Sequence, residues 1–251
     1  MRLTRAIPTV LDPSAVEQAT LLVKWDGANR QFDGLSMGEL RTAPLSEVRE
    51  SESYPDKQSY AGRYWAATTG RHHWFESLYE MRALMSFDRD PSVVGIATQP
   101  MKVTWADTKG GRFPDVLLDR TDERSLLVDV KPRERIRERH ERAFARTAAL
   151  CAAAEVDYGI VCDLSEQEAT NLRFLAGYRY PRWSCPADVR GLLAARAGEL
   201  LPLGEWIELI GETDIPARGV LYAALWHGSL EVDLDAPIER NTLAASAGRG
   251  W

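Results

Sequence analysis

An α/β architecture is the expectation for this 251-residue sequence, and three stretches carry it. Leu126-Leu127-Val128-Asp129-Val130 reads as a short apolar strand, Arg135 to Ala154 as a helix ending in alanine-rich sequence, and Val156 to Val161 as a second strand. Strand, helix, strand in that order implies a crossover between parallel strands. Beyond Pro186, short helices precede the alternating run Leu230-Glu231-Val232-Asp233-Leu234, the pattern of a small winged-helix-like α+β domain ending in a hairpin.

The remaining elements follow in order. Residues 1–50 form an extension in which Leu21 to Trp25 reads as a strand before an Asp26-Gly27 turn. Ser51 to Gly70 is polar, aromatic and rich in turn residues, and reads as a long ordered loop. A helix is expected from Trp74 to Phe87, burying Leu78, Met81, Leu84 and Met85 on one face. Val93–Ile96, Met101–Trp105, Arg112–Leu118 and Ser125–Val130 read as extended segments, with a turn at Gly110-Gly111. Glu166 to Leu175 reads as a helix that closes this unit, and Pro181 to Pro186 as a linker. The domain plan is therefore an extension (1–50), a core (51–180), a winged-helix-like domain (187–240) and a mobile Ala-Ser-Gly-rich tail (241–251).

Composition narrows the function classes. Hydrophobic residues make up 45%, enough for a packed core, and the net charge of −6 confines any nucleic-acid contact to local patches. Three widely spaced cysteines fit a reducing cytoplasm better than a disulfide scaffold or a zinc site. No signal-peptide pattern follows Arg2 and Arg5, and no apolar run approaches the ~20 residues of a membrane helix.

The chemistry-bearing pattern lies mid-chain: Phe113-Pro114-Asp115 before one apolar run, and Asp129-Val130-Lys131 on the next. Alternation along a strand puts Asp129 and Lys131 on one face. Two or three carboxylates suit magnesium, a hard cation that keeps several waters, and manganese in its place. Glu76, upstream on the expected helix, is the third carboxylate, with Glu80 one turn later as an alternative ligand or a helix cap. A metal there activates water against a phosphodiester, and Lys131 orients it or offsets developing charge. The plainer alternative is a surface turn at Asp115 and an Asp–Lys pair at a strand end.

The segment that follows is basic. Lys131, Arg133, Arg135, Arg137, Arg139, Arg142 and Arg146 stand against Glu134, Glu138 and Glu141. These arginines either hold a DNA backbone through phosphates or form a solvated helix face with pairs such as Glu138–Arg142. Gln99 either hydrogen-bonds in the cleft or satisfies backbone groups. His72-His73 reads as a plain loop, because adjacent histidines face apart. Trp65, Trp74 and Trp105 are read first as core, and Cys151 and Cys162 as packing residues.

Several motifs resemble TnsA-type endonuclease subunits of heteromeric transposases. They are Tyr60-Ala61-Gly62-Arg63-Tyr64-Trp65 through Gly70, Phe75-Glu76-Ser77-Leu78-Tyr79-Glu80, Phe87 to Ile96, Gln99-Pro100, Asp129-Val130-Lys131-Pro132 and Asn171 to Tyr178. The similarity runs from about Leu21 to about Leu234. It implies a restriction-endonuclease-like core of the PD-(D/E)xK superfamily and a winged-helix-like C-terminal domain. It further implies cleavage of double-stranded DNA at the 5′ ends of a transposon, beside a DDE-type partner transposase and an AAA+ ATPase regulator. Matched by position, Glu76, Asp115 and Lys131 are the catalytic residues and the Val130 carbonyl is a metal ligand. Asp129 departs from members with glutamine there and is the acid of the wider superfamily.

Between Pro186 and Trp251 five arginines face ten acidic residues, without a lysine. This acidic part is expected to bind protein, the partner transposase or the ATPase, in preference to DNA. Two other function classes compete: a stand-alone restriction, defence or repair nuclease, and a non-catalytic DNA-binding or assembly module.

Overall fold

The computed structural model describes residues 16, 19–49, 60–122, 124–211 and 214–251. It is a mixed α/β structure with several sheets, divided into two compact units. The first comprises residues 1–84 and 92–163, the second 85–91 and 164–251.

In the first unit, β1 (Ala19–Trp25) and β2 (Ala28–Asp33) pair antiparallel across Asp26-Gly27. Both turn residues have positive φ, 49° and 79°, the backbone a two-residue type I′ hairpin requires. β3 (Leu45–Ser46) joins β1, and β4 (Gly62–Ala66) and β5 (Arg71–Phe75) make a separate hairpin. Then come α1 (Leu78–Arg89), of which residues 78–84 belong to this unit, β6 (Val93–Thr98), β7 (Met101–Trp105), β8 (Gly111–Arg112), β9 (Val116–Arg120), β10 (Leu126–Val130), α2 (Glu138–Ala153) and β11 (Asp157–Val161).

One sheet has the order β2–β1–β7–β8 and the other β11–β10–β9–β6. In the second sheet β10 and β11 run parallel, with α2 as the crossover, and the other pairs are antiparallel. The chain passes from one sheet to the other at Gln99-Pro100, between β6 and β7. Leu21, Val23, Met101 and Val103 of the first sheet share a core with Leu117, Leu127, Tyr158 and Ile160 of the second and with Phe144, Ala148 and Cys151 of α2. Leu21, Leu117 and Leu127 are wholly buried, each contributing roughly 1.5–3 kcal/mol over exposure.

The second unit contains α3 (Glu166–Leu175), α4 (Ala187–Ala195), β12 (Leu200–Pro202), α5 (Leu203–Ile210), α6 (Ala217–Trp226), β13 (Leu230–Glu231) and β14 (Leu243–Ser246). Its strands form an antiparallel sheet in the order β12–β14–β13. Ser165 caps α3 by accepting from the Glu168 N–H, with Glu166 and Glu168 in the first turn where the helix dipole favours acids. Trp206 and Trp226 are fully buried, and Trp206 Nε1 donates to the Ala244 carbonyl at 3.0 Å.

Several expectations change. Residues 19–49 are not an appendage, because β1 lies between β2 and β7 in the sheet. The helix Glu166–Leu175 belongs to the second unit. Asn171 Nδ2 donates to the Leu234 and Ala236 carbonyls, both at 2.8 Å, tying it there. Pro181 to Pro186 is not a linker: Pro181–Trp183 is a 3-10 turn and the Trp183 ring sits against Gly219 of α6. The expected tail contains β14, and Trp251 Nε1 donates to the Trp183 carbonyl at 2.8 Å. The run at Leu230 is extended only over Leu230–Glu231. Of the expected loop, 51–59 lies outside the described residues, and the remainder carries β4 and the turn into β5. Within the described residues no helix is long and apolar enough to cross a membrane.

Candidate functional site

The site is built where β9 and β10 end. Their last ladder pair is Val116↔Val128, so one further step in the same register sets Asp115 opposite Asp129. Pro114 has no N–H to continue a ladder, and Asp115 bonds in another way. Its Oδ2 accepts from the Val130 N–H at 2.7 Å, and its carbonyl accepts from the Gln99 N–H at 2.8 Å. Among the described residues Asp115 Oδ1 has no partner. Burial, then the charges of Asp129 and Glu80, hold the Asp115 carboxyl well above the usual carboxylate range, against the Val130 N–H and Arg112.

Glu76 is not on a helix. Trp74 pairs with Arg63 in the β4–β5 hairpin, so α1 starts only after Ser77, and Glu76 lies in the turn between. Glu80 organises that turn. It accepts from the Glu76 N–H at 2.7 Å and the Ser77 hydroxyl at 3.0 Å, while its own N–H donates to Ser77 Oγ at 3.2 Å. Glu80 is thus a cap, and burial above all raises its carboxyl pKa. It is also the α1 acid whose charge reaches Asp115. Glu76 Oε2 pairs with Arg49 at 2.8 Å, and its Oε1 is buried without a hydrogen-bond partner among the described residues.

Gln99 sits at the crossing between the two sheets. Its φ is +45°, a strained conformation for a residue with a Cβ. Its carbonyl accepts from the Val48 N–H at 3.1 Å, and its Oε1 is buried and unpartnered, as is Thr98 Oγ1 beside it. Arg49 also lies over the Phe113 ring, 5.7 Å from its centroid. The segment 47–49 therefore fastens three parts of the site: Glu47 to Trp74, Val48 to Gln99 and Arg49 to Glu76.

Asp129 has a different environment from the expected one. It is 3% exposed. Oδ1 pairs with Arg112 and Oδ2 accepts from the Tyr158 hydroxyl. Arg112 also donates to Thr147 Oγ1 at 2.5 Å and lies over the Phe144 ring of α2. The charge of Asp129 raises the Arg112 pKa further above its ordinary value, against the opposing effect of burial. Both Asp129 oxygens are therefore occupied within the protein, not turned toward a ligand shared with Asp115.

Lys131 is anchored by its backbone, whose N–H donates to the Val161 carbonyl at 2.9 Å, and among the described residues its side chain has no ion-pair partner. Burial and then Lys131, Arg139, Arg137 and Arg112 lower the His140 pKa, a sign of crowded positive charge at the start of α2. The five candidate DNA-contacting arginines divide. Arg133 is paired with Asp163, and Arg142 with Glu138 at 2.5 Å. Arg137 donates to the Glu134 carbonyl at 2.6 Å, and Arg139 Nε to His140 Nε2 at 3.4 Å. Arg135 and Arg139 are exposed without a carboxylate partner among the described residues. The helix itself starts at Glu138, three residues later than expected, because Arg133–Arg135 forms a 3-10 turn and Arg137 is extended. His72 and His73 lie on β5 instead of a loop, and His73 Nε2 is 2.7 Å from Thr69 Oγ1.

A divalent cation suits part of this set. Asp115 offers an open oxygen under acidic repulsion, and Glu76 offers a buried oxygen with no partner. One or two carboxylates with waters is an ordinary magnesium set. Asp129 does not fit as a ligand while Arg112 and Tyr158 hold it. Among the described residues no three His, Cys, Asp or Glu side chains converge as a ready metal-binding group. Arg49, Arg112 and Tyr158 were not legible as site residues. Tyr158 shares a face with Asp129 only once the Leu127↔Tyr158 register is known. Comparison with protein-family models finds no match, and comparison with curated proteins finds none.

Proposed function

We propose that this chain is a metal-dependent DNA endonuclease with a PD-(D/E)xK site in a restriction-endonuclease-like core, acting as the TnsA-type subunit of a heteromeric transposase. The observation that carries the reading is Asp115 at the end of a mixed sheet. It is cross-strand from Asp129, two residues from the register of Lys131, and within the electrostatic reach of Glu80 in the first turn of α1. The order α4, β12, α5, α6, β13, β14 with sheet order β12–β14–β13 supports the winged-helix-like reading of the second unit.

Asp115 with Glu76 would hold magnesium or manganese. Bound there, the ion supplies a Lewis acid that lowers the pKa of its water and offsets charge on phosphorus. Lys131 brings an unpaired ammonium to the scissile phosphate, and Arg135 and Arg139 hold neighbouring phosphates. The products carry 5′-phosphate and 3′-hydroxyl ends. In the heteromeric setting this subunit cuts the 5′ transposon ends, beside a DDE-type transposase and an AAA+ ATPase.

The test is manganese titration by calorimetry, followed by cleavage of end-bearing duplex with the partner proteins present. Asp115→Asn is expected to abolish manganese binding and to reduce cleavage at least 100-fold, about 2.7 kcal/mol of transition-state stabilisation. Cleavage by the variant at the wild-type rate refutes the reading. A second reading, a non-catalytic DNA-binding or assembly module, is favoured by the occupied Asp129 oxygens. It predicts duplex binding without manganese affinity.

A further inference from the structure

The second unit is acidic by either boundary: from Pro186 it carries five arginines against ten acids, and over residues 85–91 and 164–251 nine against fourteen, −5 in both cases. Any basic surface on it is therefore local, and Arg173, Arg179 and Arg182 supply one. Those arginines accompany a cluster of rings. Phe174 stands edge-on to Tyr222 at 4.8 Å, and Tyr178 lies 5.0 Å from Tyr222 and 5.1 Å from Trp183. Arg179 lies over Tyr180 at 4.4 Å, and Arg182 lies 5.4 Å from both Tyr180 and Trp183. Gly219 of α6 packs so closely on Trp183 that a Cβ would collide with the ring. Its neighbour Arg218 is one helical turn from Tyr222. Arg173, Arg182 and Arg218 are exposed, and among the described residues none has a carboxylate partner.

We propose that this arginine–aromatic ledge grips the phosphodiester backbone of duplex DNA. Stacking on a ring occupies the face of a guanidinium and leaves its in-plane N–H donors for phosphate oxygens. It also orders the side chain in advance, which lowers the entropic cost of contact. Tyr180 and Trp183 already carry their own arginines, so these two rings are not free to stack on unpaired bases, the contact that single-strand binding relies on. Asp188 and Asp214 line a neighbouring cleft with Ser184, Pro186 and Ile215, and give the basic surface an acidic border. The ledge replaces the expectation that the second unit binds protein alone. It deepens the nuclease reading and rests on it for the identity of the polyanion.

The test uses the full chain in EDTA, with fluorescence anisotropy on a labelled duplex. Arg182→Ala/Arg218→Ala is expected to weaken binding about tenfold or more and to flatten the log K against log salt slope by about 2 between about 50 and 200 mM salt. The Lys/Lys variant, which keeps charge without the stacked fork, is expected to fall between the two. Wild-type affinity and slope in the Ala/Ala variant overturn the proposal, as does a wild type that binds no duplex. So does tighter binding of the matching single strand, or equal displacement by polyglutamate, which points to an acidic protein. Failure of the nuclease reading is read separately: Asp115→Asn then cleaves with manganese like wild type, whatever the ledge variants do.

Discussion

Asp129 is a buried carboxylate whose charge is answered inside the fold, by the Arg112 guanidinium and the Tyr158 hydroxyl. Removing one partner of such a pair leaves the other charge buried and unpaired. Arg112→Met is therefore expected to destabilise the first unit by about 3–5 kcal/mol, and Tyr158→Phe by about 1–3 kcal/mol. Urea unfolding measures both, with exposed Arg135→Met as a control. If Arg112→Met is as mild as the control, the network is not what holds Asp129. Asp115, Asp129 and Lys131 were legible because strand alternation and a proline fix their faces. The partners of Asp129 were not, since Arg112 follows the Gly110-Gly111 turn like any surface arginine, and its destination across the sheet is set by β8 and α2.

Strand β6 brings a second constraint. Its pairing with β9 shifts register between Val93 and Gly95, and there the Asp119 carboxylate accepts from the Thr42 N–H and hydroxyl at 2.9 and 2.8 Å. A Cβ on Gly95 would collide with Thr42 Oγ1 and press on Asp119. Gly95→Ala is therefore expected to cost about 1–3 kcal/mol as an overpacking substitution, seen as a lower urea midpoint with an unchanged m-value. A midpoint equal to wild type means that the Thr42–Asp119 contact yields freely. The β10–α2–β11 crossover was legible because each part has its own period: apolar runs for the strands and a 3.6-residue stripe for the helix. The β4–β5 hairpin was not, since Trp74-Phe75 continues into the apolar stripe of α1 and only the Ser77–Glu80 cap separates strand from helix. β12 and β14 are short, and the Leu-Ala-Ala-Ser of β14 has no strand-specific composition, so its place came from tertiary pairing with Leu200–Pro202.

The two units of the molecule should respond to acid in opposite directions. In the second, His227 follows α6, stacks on Trp251 at 5.9 Å, and is driven by burial from 6.5 down to about 4, with Asp88 opposing. Between those values the unfolded chain binds the proton that the folded unit refuses, so stability is complete above 6.5 and is lost as pH falls toward 4. The full shift corresponds to about 3 kcal/mol. In the first unit, Asp115 and Glu80 have raised carboxyl pKa values, chiefly from burial. There the folded state takes up protons before the unfolded one, so falling pH relieves repulsion and adds stability. Asp107 and Asp163 are shifted the other way by Arg146 and Arg133, but they are exposed and their contribution is screened. Hydrogen exchange, corrected for intrinsic rates, is expected to show α6 losing protection from pH 7 to pH 5 while metal-free β10 holds or gains it. His227→Gln should flatten the first trend, and Asp115→Asn should weaken the second. Parallel loss of protection in α6 and β10 would mean that acid acts on the chain as a whole, through carboxylates other than Asp115 and Glu80.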